Sequence, residues 1–247
     1  MHKIAVFTAY PALDTRAQAL ALALNIERTL TPTDAAYCLM LTPEHLSLKN
    51  MQDNSLPLLI DFTHPSITYR RKLASLKKEK LARALGLKHG ASPSIIDATA
   101  GLGLDSFILA SLGFKVTLCE RSPIIHALLT DGLARARAHP DLAPIVHRLE
   151  LQLCDASQWL QDTSAELVYL DPMFPTKSKS ALAKKEMRMF SDIVGLDEDA
   201  DLLLQRSLAC ATHRVVVKRP LAASYLAEKT PSFSQSGRSC RFDIYLK

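Results

Sequence analysis

From Ser94 onward the chain alternates two kinds of stretch. Ile95–Ala98, Lys115–Cys119, Leu149–Cys154, Val168–Leu170 and Arg214–Lys218 are short runs rich in β-branched residues or leucine. Helical stretches such as Asp105–Ser111 and Ile124–Ala138 lie between most of them. Short continuous apolar runs read as strands buried on both faces, with the helices as crossovers. The pattern predicts βαβ units and a mostly parallel, doubly wound α/β sheet. The tail departs from it: Ser232–Ser236 and Arg241–Leu246, joined around Gly237, read as a C-terminal antiparallel hairpin. In sheets of this kind ligands sit outside the carboxyl ends of the strands.

Residues 1–64 read as a small N-terminal α/β subdomain. Lys3–Phe7 and Tyr37–Leu41 are its expected strands, Thr15–Asn25 its helix and Leu58–Asp61 a short third strand. Residues 65–93 read as a basic helical connector, with one helix from about Tyr69 to Leu85 before Gly86, Gly90 and Pro93 punctuate the chain. Residues 94–247 then form the main domain. A chain of 247 residues that is 48% hydrophobic can bury a core of this size. Lys and Arg exceed Asp and Glu by 30 to 25, which permits an anionic partner without demanding one. The start, MHKIAVFTAYPALD, lacks the build of a signal peptide, and no run approaches the roughly 20 apolar residues that span a bilayer. The five cysteines form no C-x-x-C pair and the histidines no ligand spacing. The expectation is a cytoplasmic protein with neither a membrane nor a metal partner.

The first strand of the main domain runs into Asp97-Ala98-Thr99-Ala100-Gly101-Leu102-Gly103-Leu104-Asp105. Gly101 and Gly103 let the backbone turn tightly and approach a ligand. Nineteen residues beyond Gly101, Glu120 ends the second strand, where a carboxylate can take both hydroxyls of a ribose. A dinucleotide fingerprint would carry a third glycine at 106, and this chain has Ser106. Asp97 instead suits an ammonium group and would repel a pyrophosphate. A third strand ends in Cys154-Asp155-Ala156-Ser157, which offers side chains and backbone N–H groups to an adenine edge. These features together favour S-adenosylmethionine, with Asp97, Gly101, Gly103, Glu120, Asp155, Ala156 and Ser157 as its contacts.

The fourth strand ends in Asp171-Pro172-Met173-Phe174-Pro175. Methylating an exocyclic base amine requires its delocalised lone pair to be drawn toward the methyl donor. A carboxylate (Asp171) and the Pro172 carbonyl can accept the two amine N–H bonds, and the proline stiffens the loop. Phe174 can stack on the base, an interaction that contributes about 1–3 kcal/mol. The run reads as a variant of the [Asn/Asp]-Pro-Pro-[Tyr/Phe] motif of amino-group methyltransferases, with Met173 for the second proline. No cysteine follows a proline, which sets aside carbon-5 pyrimidine methylation.

Basic residues cluster nearby. Arg70, Arg71 and Lys72 lead one group; Lys177, Lys179, Lys184, Lys185 and Arg188 follow the Asp171 loop; Lys218 and Arg219 end a strand. Basic segments beside a base-binding loop suit a phosphate backbone. An adenine-N6 methyltransferase, a nicotinamide-dependent oxidoreductase and a non-catalytic RNA-binding module remain alternatives at this level.

IIDATAGLGLDSFILASLGFKVTLCERSP, VYLDPMFPTKSKSALAKKEMRMF, RVVVKRP and the terminal RFDIY, with LTPEHLSL and Arg70-Arg71-Lys72, give the chain a resemblance to one family. It resembles the bacterial small-subunit ribosomal RNA guanine-N2 methyltransferase J family over nearly its whole length. That resemblance implies a Rossmann-like class I methyltransferase fold. It also implies transfer from S-adenosylmethionine to the 2-amino group of one guanine in the cytoplasm. The implied partner is small-subunit ribosomal RNA or the assembled small ribosomal subunit. Carried over by position, the implied cofactor contacts are Leu104 and Asp105, Glu120 and Arg121, Ser157 and Gln158, and Asp171.

Overall fold

The computed structural model describes residues 3–173, 193, 195 and 199–247, and the chain divides into two compact units. The first holds a four-stranded sheet in the order β2-β1-β3-β4, made of β1 (Ile4–Phe7), β2 (Glu27–Arg28), β3 (Tyr37–Leu41) and β4 (Leu46–Asn50). β1 pairs in parallel with β2 and β3, whereas β4 runs antiparallel to β3. Helix α1 (Asp14–Leu24) buries Ala17 and Ala21, one turn apart, and ends at left-handed Asn25.

Leu58–Asp61, expected as the third strand, makes only an isolated bridge between Leu58 and Leu48. Pro57 has no N–H to extend that pairing. The strand's place is taken by β4, which the Thr42–His45 turn folds back on β3: Thr42 Oγ1 accepts the N–H groups of Glu44 and His45.

The second unit is built on a seven-stranded sheet in the order β10-β11-β9-β8-β5-β6-β7. Its strands are β5 (Ile95–Asp97), β6 (Val116–Glu120), β7 (Leu149–Leu153), β8 (Ala165–Leu170), β9 (Ala211–Pro220), β10 (Phe233–Ser236) and β11 (Cys240–Leu246). The strands β7, β6, β5, β8 and β9 are parallel, and the β10–β11 hairpin adds antiparallel to β9. The expected architecture of a mostly parallel sheet closed by an antiparallel hairpin is the one found. Val168, Leu170, Val215 and Val217 are fully buried in its core, each worth roughly 1.5–3 kcal/mol of apolar burial. β5 lies between β6 and β8, so the winding direction reverses at its carboxyl end, the switch point where ligands of such sheets bind.

The basic connector holds two helices in place of the single one expected: α2 (Pro65–Leu73) and α3 (Lys80–Ala84). Ala74 is extended at φ −63° and ψ 137°, and the Ser75 carbonyl then accepts from Lys78 and Glu79 in a separate turn. The break brings Glu79 back to Arg70, whose Nη2 donates to it at 3.1 Å. α2 itself buries no residue.

Among the described residues the remaining α-helices are α4 (Leu104–Ser111), α5 (Pro123–Arg137), α6 (Ala143–Val146), α7 (Ala156–Trp159) and α8 (Ala200–Cys210). Residues 122–135, most of α5, cluster with the first unit. A Cβ on Gly132 would stand 2.7 Å from the Ile60 carbonyl oxygen. Arg135 donates to that same carbonyl and pairs with Asp131 at 2.8 Å. Among the described residues no helix is long and apolar enough to cross a membrane, and no group of His, Cys, Asp or Glu is arranged to hold a metal ion.

Candidate active site

The carboxyl edge of the parallel strands gathers most of the residues expected to act. β5 delivers Asp97 and then turns through Gly101 (φ 52°) and Gly103 (φ 69°), both left-handed, into α4. The Gly101 N–H donates to Glu120 Oε2 at 2.9 Å, tying the acid at the end of β6 to the glycine turn. Asp97 is 2% exposed. Its carboxylate accepts Ser106 Oγ at 2.5 Å and the Thr99 N–H at 3.2 Å. The residue that breaks the dinucleotide fingerprint is therefore a hydrogen-bond partner for the first acid. Burial pushes the Asp97 carboxyl up to about 7, the Ser106 and Thr99 bonds oppose the rise, and the charges of Asp105 and Asp171 add to it.

At the end of β7, Asp155 caps α7: one carboxylate oxygen accepts the Ser157 N–H at 2.8 Å and Ser157 Oγ at 2.7 Å. Ala156 and Ser157 are buried and Gln158 is exposed. Leu104 opens α4 half-buried. Arg121 pairs with Asp199 at 2.9 Å.

Asp171 ends β8. Its N–H donates to Thr99 Oγ1 at 2.6 Å, which fixes the strand exit against the β5 turn. Its Oδ2 accepts Lys218 Nζ at 2.7 Å. The same ammonium donates to Asp105 Oδ2 at 3.1 Å, and Tyr169 donates its hydroxyl to that oxygen at 2.9 Å. Arg70 Nη1 lies 2.9 Å from Asp105 Oδ1 while its Nε and Nη2 hold Glu79. The result is one continuous network, Glu79–Arg70–Asp105–Lys218–Asp171. Burial works against the charge on Asp105, but Lys218 and Arg70 outweigh it and hold the carboxyl below the usual range. Burial likewise opposes the Lys218 ammonium, and Asp105 with Asp171 outweighs it and keeps the group protonated well above its ordinary range.

The basic residues separate into distinct groups. Lys72 is exposed and Arg71 half-buried, with Nη1 reaching the Asp141 carbonyl at 3.5 Å. Arg70 and Lys218 are committed to the acids of the site. Arg219 is 5% exposed and donates from Nε and Nη2 to the Ser224 carbonyl, at 3.2 and 2.8 Å. Its buried guanidinium serves the fold. Pro172 is buried behind Asp171. Phe174, Lys177, Lys179, Lys184, Lys185 and Arg188 lie outside the described residues.

Sequence reasoning missed Thr99, Ser106 and Tyr169 as parts of the site, and the inward role of Lys218. What sets Lys218 there is pairing: β8 Leu170 stands opposite β9 Val217, so Asp171 at the exit of β8 and Lys218 within β9 lie side by side on adjacent parallel strands.

A family model described as a putative SAM-dependent methyltransferase matches residues 20–247. The chain is 48% identical over 212 residues to ribosomal RNA small subunit methyltransferase J of Nitrosococcus oceani, covering 84% of this chain and 83% of that protein. It is 43% identical over 250 residues to the protein of the same name from Tolumonas auensis, covering 100% and 99%. Among solved structures, a SAM-dependent methyltransferase of Neisseria gonorrhoeae matches with a TM-score of 0.76 at 32% identity, over 99% of this chain and 95% of that one.

Proposed function

The chain belongs to the ribosomal RNA small subunit methyltransferase J family, and from that membership we infer its reaction: transfer of a methyl group from S-adenosylmethionine to the N2 amine of a guanine in small-subunit ribosomal RNA. The observation that carries the reading beyond the family name is the shared carboxyl edge of four parallel strands, where Asp97 and Glu120 end β5 and β6, Asp171 directly follows β8 and Asp155 lies two residues past β7. A nearly inaccessible acid beside the glycine turn suits an ammonium and is hostile to a pyrophosphate, which disfavours a nicotinamide cofactor.

In this reading Asp97 takes the amino group of S-adenosylmethionine, Glu120 the ribose hydroxyls, and the backbone of Ala156, Ser157 and Gln158 the adenine edge. Gly101 and Gly103 bring their backbone against it, with Leu104 and Arg121 alongside. Asp105 contributes through the first turn of α4, because its carboxylate belongs to the ion-pair network. When bound, S-adenosylmethionine supplies an electrophilic methyl group on a sulfonium, which needs an aligned nucleophile more than acid–base chemistry.

The chain's own residues supply that alignment. Asp171 and the Pro172 carbonyl accept the two N–H bonds of the amine, turning its lone pair toward the methyl group, and Phe174 stacks on the guanine. As the nitrogen gains its methyl it gives up one proton, to Asp171 or to water beyond it. RNA phosphates are met by Arg71 and Lys72 on α2, and by Lys177, Lys179, Lys184, Lys185 and Arg188.

The test is transfer of labelled methyl to small-subunit RNA, and to small subunits, from a strain lacking the protein, followed by mapping of the modified nucleotide. We expect one guanine labelled at N2, and Asp171→Ala lowering the rate on the order of 100-fold or more with the fold retained. Label on another atom, or near-normal turnover by that variant, contradicts the reading.

A further inference from the structure

Lys218 belongs by sequence to a basic cluster that suits phosphate, yet its ammonium lies between two carboxylates. Nζ is 2.7 Å from Asp171 Oδ2 and 3.1 Å from Asp105 Oδ2. Its side chain is 30% exposed and that of Asp171 39%, so the pair borders the open edge of the sheet instead of lying in the core. Asp105 is itself braced, by Tyr169 at 2.9 Å and by Arg70 at 2.9 Å. The lysine therefore has its position determined from both sides, by β9 that carries it and by an acid held in place from two other elements.

Removing the ammonium would leave Asp105 and Asp171 facing one another, with Asp97 close enough to repel both. Like-charged carboxylates sharing a site relieve the repulsion by protonation or by turning apart. Either response disables Asp171 as the acceptor of an amine N–H. A protonated oxygen donates where acceptance is needed, and a rotated carboxylate no longer fixes the lone pair. A phosphate contact would instead require Lys218 to leave both acids and expose their charges to the RNA backbone.

We propose that Lys218 is a positioning residue for methyl transfer: held between Asp105 and Asp171, its ammonium fixes the Asp171 carboxylate in the orientation that receives the guanine amine. Asp105, Arg70 and Tyr169 form the brace behind it. The inference rests on the reading of Asp171 as the amine acceptor, and it moves Lys218 and Arg70 from the RNA surface into the catalytic support.

The experiment compares Lys218→Met, Lys218→Arg and Asp171→Ala with the unaltered full-length protein. The measurements are kcat and KM for RNA, RNA affinity at several salt concentrations, cofactor affinity by calorimetry, and thermal unfolding. Loss of precise orientation costs on the order of 100-fold in rate, and kcat of Lys218→Met is expected to fall by that much. RNA affinity and its salt slope stay as they were. Lys218→Arg recovers part of kcat, because a guanidinium can still bridge two carboxylates with altered geometry.

A phosphate contact gives the opposite split: kcat is kept at saturating RNA, while the salt slope drops by about 0.7–0.9. That result overturns the proposal, as does unchanged kcat in Lys218→Met beside an inactive Asp171→Ala. An active Asp171→Ala overturns the acceptor reading itself, and this inference with it. Should Lys218→Met not fold, Lys218→Arg decides: kcat below the unaltered protein at unchanged RNA affinity supports the proposal, and equal kcat overturns it.

Discussion

Asp97 joins cofactor binding to pH through a single buried carboxyl. Its pKa is raised from 3.8 to about 7, chiefly by burial. Between those values the folded protein holds a proton that the unfolded chain has released. This group's contribution to stability is therefore greatest at low pH, falls as pH rises from about 4 to about 7, and is level above that. Binding an ammonium requires the opposite form, the carboxylate. Affinity for S-adenosylmethionine should accordingly climb as pH rises toward about 7, with a proton released on binding below that value. The α-amino group of the ligand loses its own proton from about pH 7.7 upward, which bounds the profile on the alkaline side. Calorimetry in buffers of different ionisation enthalpy separates the two limbs. Asp97→Asn should bind more weakly and lack the rising limb while keeping the falling one. An affinity independent of pH below about 7, with no proton released, would remove Asp97 from the ammonium site.

Among the described α-helices, α2 is the one that buries no residue, and it carries Arg70, Arg71 and Lys72 in its last turn. A helix without a buried face is held by its polar contacts. Arg70 supplies two of these, through Asp105 and Glu79, and Arg71 and Lys72 are the residues proposed to meet RNA. Arg71→Glu combined with Lys72→Glu should weaken RNA binding, lower the salt slope by about 1.4–1.8 for two lost phosphate contacts, and leave cofactor affinity unchanged. An unaltered slope would put the RNA elsewhere. The same helix shows what sequence could not convey. The strands β5, β6, β8 and β9 were legible because residues buried on both faces form continuous apolar runs, and the edge strand β7 because Leu149, Leu151 and Leu153 alternate with Glu150 and Gln152. The break between α2 and α3 was not, since Ser75–Glu79 is compatible with helix and the interruption is stabilised by the Arg70–Glu79 contact. β4 escaped notice because Ser47, Lys49 and Asn50 dilute Leu46 and Leu48. The site acids were legible as strand ends. The inward turn of Lys218 was not, because it depends on which strands are neighbours.

For the molecule as a whole, the compact units do not follow the order of the chain. Residues 122–135 cluster with the first unit although they directly follow Arg121, next to the acid proposed to take the ribose. Deleting residues 1–61 removes the Ile60 carbonyl that accepts from Arg135, the Asp61 carboxylate 3.8 Å from the same guanidinium, and the Arg16 partner of Asp131 at 3.9 Å. It also removes the backbone against which Gly132 packs too closely for any side chain. Arg135 and Asp131 would keep each other but lose these further partners, each loss costing about 1–3 kcal/mol where the group stays buried. A domain of this size is stable by only about 5–15 kcal/mol, so two or three such losses are a large share. A chain beginning at residue 62 is therefore expected to unfold at lower temperature and to bind S-adenosylmethionine weakly. The full-length protein should gain about 2.7 kcal/mol from the ligand at 100 times its Kd. Size-exclusion chromatography and thermal unfolding with and without the ligand decide the matter. A monodisperse truncated chain with the same melting temperature and the same ligand-induced rise would show that the first unit is dispensable to the site.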